Sequence, residues 1–236
     1  MIKEAEGIYA LDCFGPQVTA GFSGREFDAA RRSDFLKLAG FAPEKLVLLK
    51  QVHSANIVLV SSCYRPGKET QADGMITQIP GVALGILTAD CVPVFFCDLS
   101  KGVVGITHAG WRGIHHGIIR KMAQAFKQNF MSRSEDIQVA FGPAARKCCY
   151  EVGYEFAHIF PDFYSAKAEL KSHKGCMDLI GAIVRELEDE GVRADQIFDS
   201  KKCTCCQNDK YFSYRADHGT SERILSVISL KETVLS

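Results

Sequence analysis

The chain has 236 residues, of which 47% are hydrophobic and 24% are charged, within the range of an ordinary globular protein. It carries 28 basic and 28 acidic residues, so no overall charge draws it onto nucleic acid or an anionic membrane surface. A chain of this length buries most of its unfolded surface without needing disulfides. We therefore expect one domain over residues 1–236.

The N-terminal segment and the cysteines bear on the compartment. The segment MIKEAEGIYALDCFG has no apolar core of the length that a signal peptide needs. No stretch of the sequence approaches the roughly 20 apolar residues of a membrane span. We therefore expect a cytoplasmic protein without a membrane partner. In a reducing compartment the ten cysteines are expected to be thiols, metal ligands or nucleophiles rather than a disulfide framework.

The predicted elements mix strands and helices along the whole chain. The strands are predicted at 17–22, 46–50, 56–60, 82–88, 92–98, 102–107, 137–142 and 223–230, and the helices at 26–39, 114–130 and 177–191. The three central strands are almost continuously apolar, which is typical of strands buried on both faces. This order favours an α/β domain in which helices cover mixed sheets.

Three short polar segments interrupt or close the apolar runs. They are Gln51–His53, Thr88–Cys91 and Thr107–Gly113. Polar groups at such positions are costly to bury unless they are hydrogen-bonded or ligated to a metal. Together the segments offer two imidazoles and one thiolate. Three such ligands with an open fourth position are the usual arrangement of a catalytic zinc site.

Each of these residues taken alone has a simpler interpretation. A histidine at a strand end is commonly a hydrogen-bonded structural residue, and a buried cysteine commonly packs as a small hydrophobe. A metal-free alternative makes Cys91 a nucleophile and His108 its base, but it leaves His53 without a role. A non-enzymatic zinc module is a further alternative, and it predicts a closed fourth ligand and no pocket.

Charged residues near these segments suggest supporting roles. Asp90 precedes Cys91, and we interpret it as a group that orients a ligand histidine or carries a proton. Asp73 belongs to an Asp-Gly pair, which predicts a turn former. Arg112 follows His108 by four residues, and its planar guanidinium suits a phosphate or a carboxylate. A structural salt bridge from Arg112 to Asp90 is the alternative.

Five further cysteines form two short groups, Cys148-Cys149 and Cys203-Thr204-Cys205-Cys206. Adjacent cysteines are poor joint ligands for one tetrahedral metal ion. We therefore expect no second metal site in this part of the chain.

Several ordered motifs resemble those of the YfiH family. They are KQVHSANIV, ADGMITQIPGVALGILTADCVPVFFCD, GITHAGWRG, GPAARKCCYEVG and YFSYRAD, and the match runs from about residue 46 to the C terminus. The family is also called peptidoglycan editing factor, multicopper polyphenol oxidoreductase (laccase domain) and purine nucleoside phosphorylase. The resemblance implies a layered α-β-β-α sandwich with mixed sheets, related to the deamidase domain of certain bacterial toxins. It also implies that His53, Cys91 and His108 bind zinc and belong to the catalytic site.

The resemblance further implies phosphorolysis of adenosine, inosine and methylthioadenosine, with adenosine deamination as a side activity. The expected partners are a small-molecule nucleoside and phosphate, and the chain is expected to be a monomer or a small homo-oligomer. The candidate substrate- and phosphate-binding residues are Arg112, Arg215 and Arg223, and Asp90 joins the metal ligands as a candidate catalytic residue.

The alternatives are a metal-free Cys-His amide hydrolase and a hydrolase that edits peptidoglycan precursors. Copper is the alternative metal ion. However, the seven histidines include no His-x-His pair, which argues against the histidine-rich copper cluster of a multicopper oxidase.

The sequence departs from the family pattern in three places. The region before the first helix is shortened, and no asparagine occurs before Asn56. The usual double arginine after Phe-Ser-Tyr is Arg215-Ala216, and the usual Thr-Gly-Arg is Ser221-Glu222-Arg223. We expect the metal site to tolerate these changes and the substrate preference to depend on them.

Overall fold

The computed structural model describes residues 2–63, 66–166 and 174–232. The strands are β1 (Ile2–Ala5), β2 (Ile8–Leu11), β3 (Val18–Ser23), β4 (Leu46–Val47), β5 (Ile57–Leu59), β6 (Gly74–Thr77), β7 (Ala83–Thr88), β8 (Val92–Asp98), β9 (Val103–Ala109), β10 (Gln138–Phe141), β11 (Glu151–Gly153), β12 (Tyr164–Ala166), β13 (Lys174–Met177), β14 (Ile197–Asp199) and β15 (Ile224–Leu230). The α-helices are α1 (Arg32–Leu38), α2 (Trp111–His115), α3 (Ile118–Phe130), α4 (Phe156–Ile159) and α5 (Leu179–Asp189). Short 3-10 helices cover Pro43–Lys45, Ser134–Asp136 and Ala194–Gln196.

The described strands form two six-stranded sheets and one three-stranded sheet. The first sheet has the order β1-β2-β3-β15-β7-β4, the second β14-β10-β8-β9-β6-β5, and the third β11-β13-β12. Both large sheets are mixed, because β4 pairs with β7, β14 with β10 and β5 with β6 in parallel, while their other strand pairs are antiparallel.

The two large sheets pack face to face and carry helices on their outer faces. Phe22 from the first sheet and Phe95 from the second belong to one buried cluster between the sheets. On the other face of the second sheet, Phe126 of α3 and Ile183 of α5 cover the strands. On the other face of the first sheet, Phe35 of α1 does the same. The structure confirms the α/β domain predicted from the sequence pattern, the layered α-β-β-α arrangement that the family resemblance implies, and the fully buried strands β8 and β9.

Strand register places the polar segments beside one another. In the antiparallel β8–β9 pair, Pro93 lies opposite His108, so the loop before β8 ends next to the end of β9. In the β6–β9 pair, Gly74 lies opposite Thr107, and the backbone N–H of His108 donates to the Asp73 carbonyl oxygen at 2.7 Å. The loops before β6 and β8 and the end of β9 therefore meet at one edge of the second sheet.

Two of the predicted helices differ from the observed ones. The predicted helix 26–39 begins only at Arg32, because the Asp28 carboxylate accepts the backbone N–H groups of Ala30 and Arg31 and holds a turn there. The predicted helix 114–130 is divided into α2 and α3 at Gly117, whose φ of 75° is left-handed.

Several short strands were not predicted from the sequence. Strands β1, β2, β6 and β11–β14 have three or four residues each, too few for a recognisable alternation of apolar and polar residues.

In the described ranges, the helices are too short or too polar to cross a membrane.

Candidate metal centre and catalytic pocket

The structure brings His53, Cys91 and His108, hereafter the triad, into one cluster. Their ligating atoms all lie within 4.8 Å of one another. The Cys91 Sγ lies 4.0 Å from the His53 Nε2, and the two imidazole centroids are 4.7 Å apart at an interplanar angle of 75°. The three residues come from three separate segments, so the fold assembles the predicted ligand set. Metal binding itself stays a prediction.

Asp73 holds both histidine segments in place. Its fully buried Oδ1 lies 2.8 Å from the His108 Nδ1 and accepts the backbone N–H of His53 at 3.0 Å. Its Oδ2 accepts the backbone N–H of Ser54 at 2.6 Å, the Ser54 hydroxyl at 2.8 Å and the backbone N–H of Val52 at 3.2 Å. Because Nδ1 of His108 is bonded to Asp73, its Nε2 is the nitrogen left for a metal. A carboxylate behind the ring is the usual partner of a metal-ligating histidine.

The interpretation of Asp73 as a simple turn former is therefore wrong. The sequence did contain a signal for this role of Asp73. It is a charged residue directly before the apolar strand β6, and a carboxylate buried there needs hydrogen-bonding partners.

Asp90 is hydrogen-bonded to a segment that is distant in the sequence. It is 6% exposed, and its Oδ1 accepts the hydroxyls of Thr204 and Ser213, each at 2.7 Å. Its Oδ2 accepts the backbone N–H of Arg215 at 2.8 Å. None of these partners is a ligand histidine or the Arg112 side chain, so neither the orienting contact to a histidine nor the salt bridge to Arg112 is formed. A catalytic role for Asp90 stays a prediction. Asp90 ties the segment 204–215 to the loop before β8.

The triad favours a charged sulfur at neutral pH. Burial acts to raise the pKa of the Cys91 thiol, but His108 and His53 outweigh it and lower that pKa to about 6. Burial acts to lower the pKa of His108, but Cys91 and Asp73 raise it to about 9. Between these values the metal-free site holds a thiolate beside an imidazolium. A thiolate is also the form of cysteine that binds metals.

In the metal-free protein, Cys91 is expected to be alkylated by iodoacetamide with an apparent pKa of about 6. The rate should rise as the pH increases through this value and then level off, because only the thiolate attacks the reagent. Mass spectrometry of the Cys91 peptide over a pH series measures this, with the exposed Cys63 followed in the same digest as a reagent control. Added zinc should suppress the reaction at Cys91. A rate that still climbs in alkaline solution would contradict the expectation.

A cavity of about 690 Å³ opens beside the triad, within the roughly 300–1,000 Å³ typical of small-molecule sites. All three triad residues and all three predicted arginines line it. The aromatic residues of its wall are Trp111, Tyr150 and Tyr214. The pocket thus combines metal-capable, cationic and aromatic groups.

Two of the arginines lie over aromatic rings. The Arg112 guanidinium lies 4.6 Å from the Trp111 ring centroid, and the Arg215 guanidinium lies 4.3 Å from that of Tyr150. Stacking fixes the plane of a guanidinium while its N–H groups point outward in that plane. This geometry suits bidentate binding of a phosphate or a carboxylate.

Arg223 is held by its own segment. Its Nη1 donates to the carbonyl oxygens of Thr220 and Glu222, at 2.6 and 2.8 Å. The side chain therefore reaches the pocket wall as part of a fixed loop, and at least one of its nitrogens is engaged in the fold.

Tyr150 adds a hydroxyl to the pocket that the sequence did not single out. Burial and the nearby Cys91 raise the pKa of Tyr150 to about 12, and Arg215 opposes them only in part. The phenol is therefore neutral at physiological pH and retains a proton that can be donated in a hydrogen bond.

Gly110 lies where a side chain would disturb the triad. A Cβ at this position would come within 3.0 Å of both the Cys91 Sγ and the His53 Cδ2. Its φ of −80° is ordinary, so the effect of a substitution is steric. Gly110→Ala is expected to weaken zinc binding about tenfold or more, or by at least ~1.4 kcal/mol. Competition with a chelating dye measures this, and Gly67→Ala, which adds a Cβ in open space, is the control. Equal affinities in the two variants would contradict the steric argument.

Four cysteines form a second cluster. The sulfurs of Cys148, Cys149, Cys203 and Cys206, hereafter the four-cysteine group, also lie within 4.8 Å of one another. The expectation that adjacent cysteines are poor joint ligands, and that this part of the chain has no second metal site, is therefore not supported by the geometry. The spacing Cys203-x-x-Cys206 is the sequence signal that was overlooked.

Comparisons with known proteins agree with this fold and site. The sequence profile described as multi-copper polyphenol oxidoreductase laccase matches residues 26–231. Purine nucleoside phosphorylase YlmD of Geobacillus stearothermophilus is 35% identical over 205 residues, which covers 81% of this chain and 74% of that protein. Purine nucleoside phosphorylase YfiH of Escherichia coli K12 is 34% identical over 195 residues, which covers 81% of this chain and 76% of that protein.

Solved structures give the same result. The hypothetical protein YfiH of Bacillus licheniformis superposes with a TM-score of 0.90 at 26% identity, covering 98% of this chain and 99% of that one. YlmD of G. stearothermophilus superposes with a TM-score of 0.87 at 28% identity, covering 98% of each chain. With the ordered motifs, these matches show that the chain belongs to the YfiH family of laccase-domain proteins.

Proposed function

We propose that this chain is a zinc-dependent purine nucleoside phosphorylase. Its substrates are adenosine, inosine and methylthioadenosine, and adenosine deamination is a side activity. The observation that carries the proposal is one pocket in which the triad, three arginines and three aromatic side chains meet. The name purine nucleoside phosphorylase, borne by the relatives from G. stearothermophilus and E. coli, supports the same reaction class.

The ligands of the triad suit zinc. Two imidazoles and a thiolate, with one histidine already oriented by Asp73, are ligands that zinc accepts in catalytic sites. When bound, zinc supplies positive charge and Lewis acidity to the pocket. Among the described residues, the metal-capable groups are the triad and the four-cysteine group, and neither has the histidine-rich ligands of a multicopper oxidase. The donor chemistry therefore favours zinc over copper.

The arginines and aromatic residues supply substrate binding. In phosphorolysis, a phosphate oxygen bonds to the ribose C1′ while the glycosidic C–N bond breaks, and the purine leaves with a proton. Arg112 and Arg215 hold the phosphate, because both guanidinium groups are fixed by stacking at the pocket wall. Tyr214, which is 56% exposed at the same wall, stacks on the purine. The neutral Tyr150 donates a hydrogen bond to the substrate.

Incubation of the zinc-loaded protein with adenosine, with and without phosphate, tests the proposal. Adenine and ribose 1-phosphate are expected only when phosphate is present, with a smaller amount of inosine in both samples. Formation of inosine without any ribose 1-phosphate would mean that deamination, rather than phosphorolysis, is the main reaction. If neither product forms, the proposed function is wrong.

Arg215→Gln is expected to raise the KM for phosphate at least about tenfold, because a charge-assisted contact to an anion contributes roughly 1.5–3 kcal/mol. The backbone N–H that binds Asp90 is retained in this variant. Steady-state kinetics with varied phosphate measure the effect. Arg133→Gln is the control, since Arg133 is exposed and pairs with Glu135 and Asp136 on the surface. A KM unchanged by Arg215→Gln would remove this residue from the phosphate site.

A metal-free amide hydrolase is the second candidate, and one observation favours it. Cys91, His108 and Asp73 form a chain of thiolate, imidazole and carboxylate like that of cysteine hydrolases. In that case the zinc-free protein hydrolyses an amide through a covalent Cys91 adduct, and zinc inhibits it. The phosphorylase proposal requires the opposite response to zinc.

A further inference from the structure

The four-cysteine group has the dimensions of a tetrahedral metal site. The Cys148 Sγ lies 3.7 Å from that of Cys203 and 3.6 Å from that of Cys206, and the Cys149 Sγ lies 3.3 Å from that of Cys206. With zinc–sulfur bonds of about 2.3 Å, tetrahedral geometry separates the sulfurs by about 3.8 Å. The thiols therefore need only small shifts to surround one ion.

The backbone explains how neighbouring cysteines reach one point. The N–H groups of Cys149 and Tyr150 both donate to the Arg146 carbonyl oxygen at 2.8 Å, which closes a tight turn. This turn directs the Cys148 and Cys149 side chains towards the segment 203–206. That segment is attached to the same region by the bridge between Ala144 and Cys203.

Basic residues lie next to the ligands in the sequence. Four thiolates around a divalent cation leave a net negative charge, and the basic pairs Arg146-Lys147 and Lys201-Lys202 flank the ligands in the sequence.

We propose that Cys148, Cys149, Cys203 and Cys206 bind one structural zinc ion, separate from the catalytic metal. Four sulfur ligands close the coordination sphere, which is the arrangement of structural rather than catalytic zinc. A set of four thiolates also selects zinc or iron over hard cations.

The site clamps one wall of the substrate pocket. Tyr150 follows Cys149 directly, and Thr204 lies between two ligands and donates its hydroxyl to Asp90. Asp90 in turn accepts the backbone N–H of Arg215. Zinc bound by the four-cysteine group therefore fixes the relative positions of Tyr150 and Arg215 without touching the substrate.

Metal analysis of the purified chain tests the site. The wild-type protein should carry two zinc ions per chain, and both Cys206→Ser and Cys91→Ala should carry one. Cys63→Ser, which removes an exposed thiol elsewhere, should keep both. Cobalt substitution separates the sites, because sulfur-to-cobalt charge-transfer absorption scales with the number of thiolates. Cys206→Ser should lose most of this absorption, and Cys91→Ala a minor part.

A measurement on the wild-type chain tests the site even if Cys206→Ser does not fold. Cys148 and Cys206 are exposed, yet zinc should protect them from alkylation until a strong chelator is added. Full zinc content in Cys206→Ser, or rapid alkylation of the untreated wild type, would overturn the proposal. A disulfide within the group, seen as a mass two hydrogens lower before reduction, would overturn it as well. None of these results depends on phosphorolysis, so the site and the proposed function can fail separately.

Discussion

Cys91→Ala is expected to abolish zinc binding at the triad and with it phosphorolysis. The Cys91 thiolate is the one anionic ligand of the triad, and His53 and His108 alone form a weak bidentate site. Substitution of a residue that hydrogen-bonds to a metal ligand typically reduces metal affinity roughly 10–100-fold. Substitution of a ligand itself should reduce the affinity by more than that. Activity with adenosine and phosphate should fall below detection.

Metal content and fold are measured on the same samples. Cys91 lies at the pocket wall, so the circular dichroism spectrum of the metal-free variant should stay close to that of the metal-free wild type. Cys63→Ala is the matched control and should keep both zinc and activity. If Cys91→Ala retained the triad zinc, the assignment of the ligands would be wrong.

The sequence predicted the parts of the structure whose signal is local. The continuous apolar runs of β7, β8 and β9 identified the buried strands, because few other elements place so many apolar residues in succession. The polar residues at the ends of these runs identified Cys91 and His108, since a buried polar side chain needs a partner. His53 follows another apolar run in the same way, and the ordered motifs then joined the three residues into one predicted ligand set.

The roles of Asp73 and Asp90 depend on contacts between distant segments. Asp73 reaches His108 because β6 pairs with β9 in a particular register, and neither strand reveals its register. Asp90 is adjacent to Cys91 in the sequence, yet its side chain bonds to Thr204 and Ser213, more than a hundred residues away. Chain proximity therefore suggested Asp90 as the group that orients a ligand histidine, whereas Asp73 makes that contact.

The four-cysteine group also depends on contacts between distant segments of the chain. The spacing of Cys203 and Cys206 is visible in the sequence, but their partners Cys148 and Cys149 lie more than fifty residues earlier. Only the folded chain brings the two pairs together.

Asp73→Asn is expected to destabilise the protein by about 2–4 kcal/mol and to weaken zinc binding about 10–100-fold. Both carboxylate oxygens accept hydrogen bonds from the segment 52–54, and one of them also binds the His108 ring. Either orientation of an asparagine amide turns its NH₂ group towards donors. The charge that aligns the ring is lost as well.

The pH dependence gives a second, independent readout of Asp73→Asn. Burial acts to raise the pKa of Asp73, but His108 and Ser54 lower it from 3.8 to about 2. A carboxyl group with a lowered pKa contributes stability that is present above its unfolded value, near 3.8, and is lost as the pH falls through about 2. The contribution is ~2 kcal/mol at neutral pH. The difference in unfolding free energy between the metal-free wild type and the variant should therefore shrink as the pH decreases over this interval.

Urea unfolding over a pH series and zinc competition measure the two effects. Asp217→Asn is the matched control, because the pKa of Asp217 is also lowered to about 2 although its partners, Arg25, Asn208 and the Ser213 N–H, lie outside the triad. That variant should lose stability with a similar pH dependence and keep its affinity for zinc at the triad. Equal zinc affinities in the wild type and Asp73→Asn would show that the carboxylate serves only folding. A loss of zinc affinity confined to Asp73→Asn would show that the Asp73 carboxylate also orients the metal ligands. Both substitutions remove one negative charge from a carboxylate of low pKa, and they differ only in which side chains lose a partner.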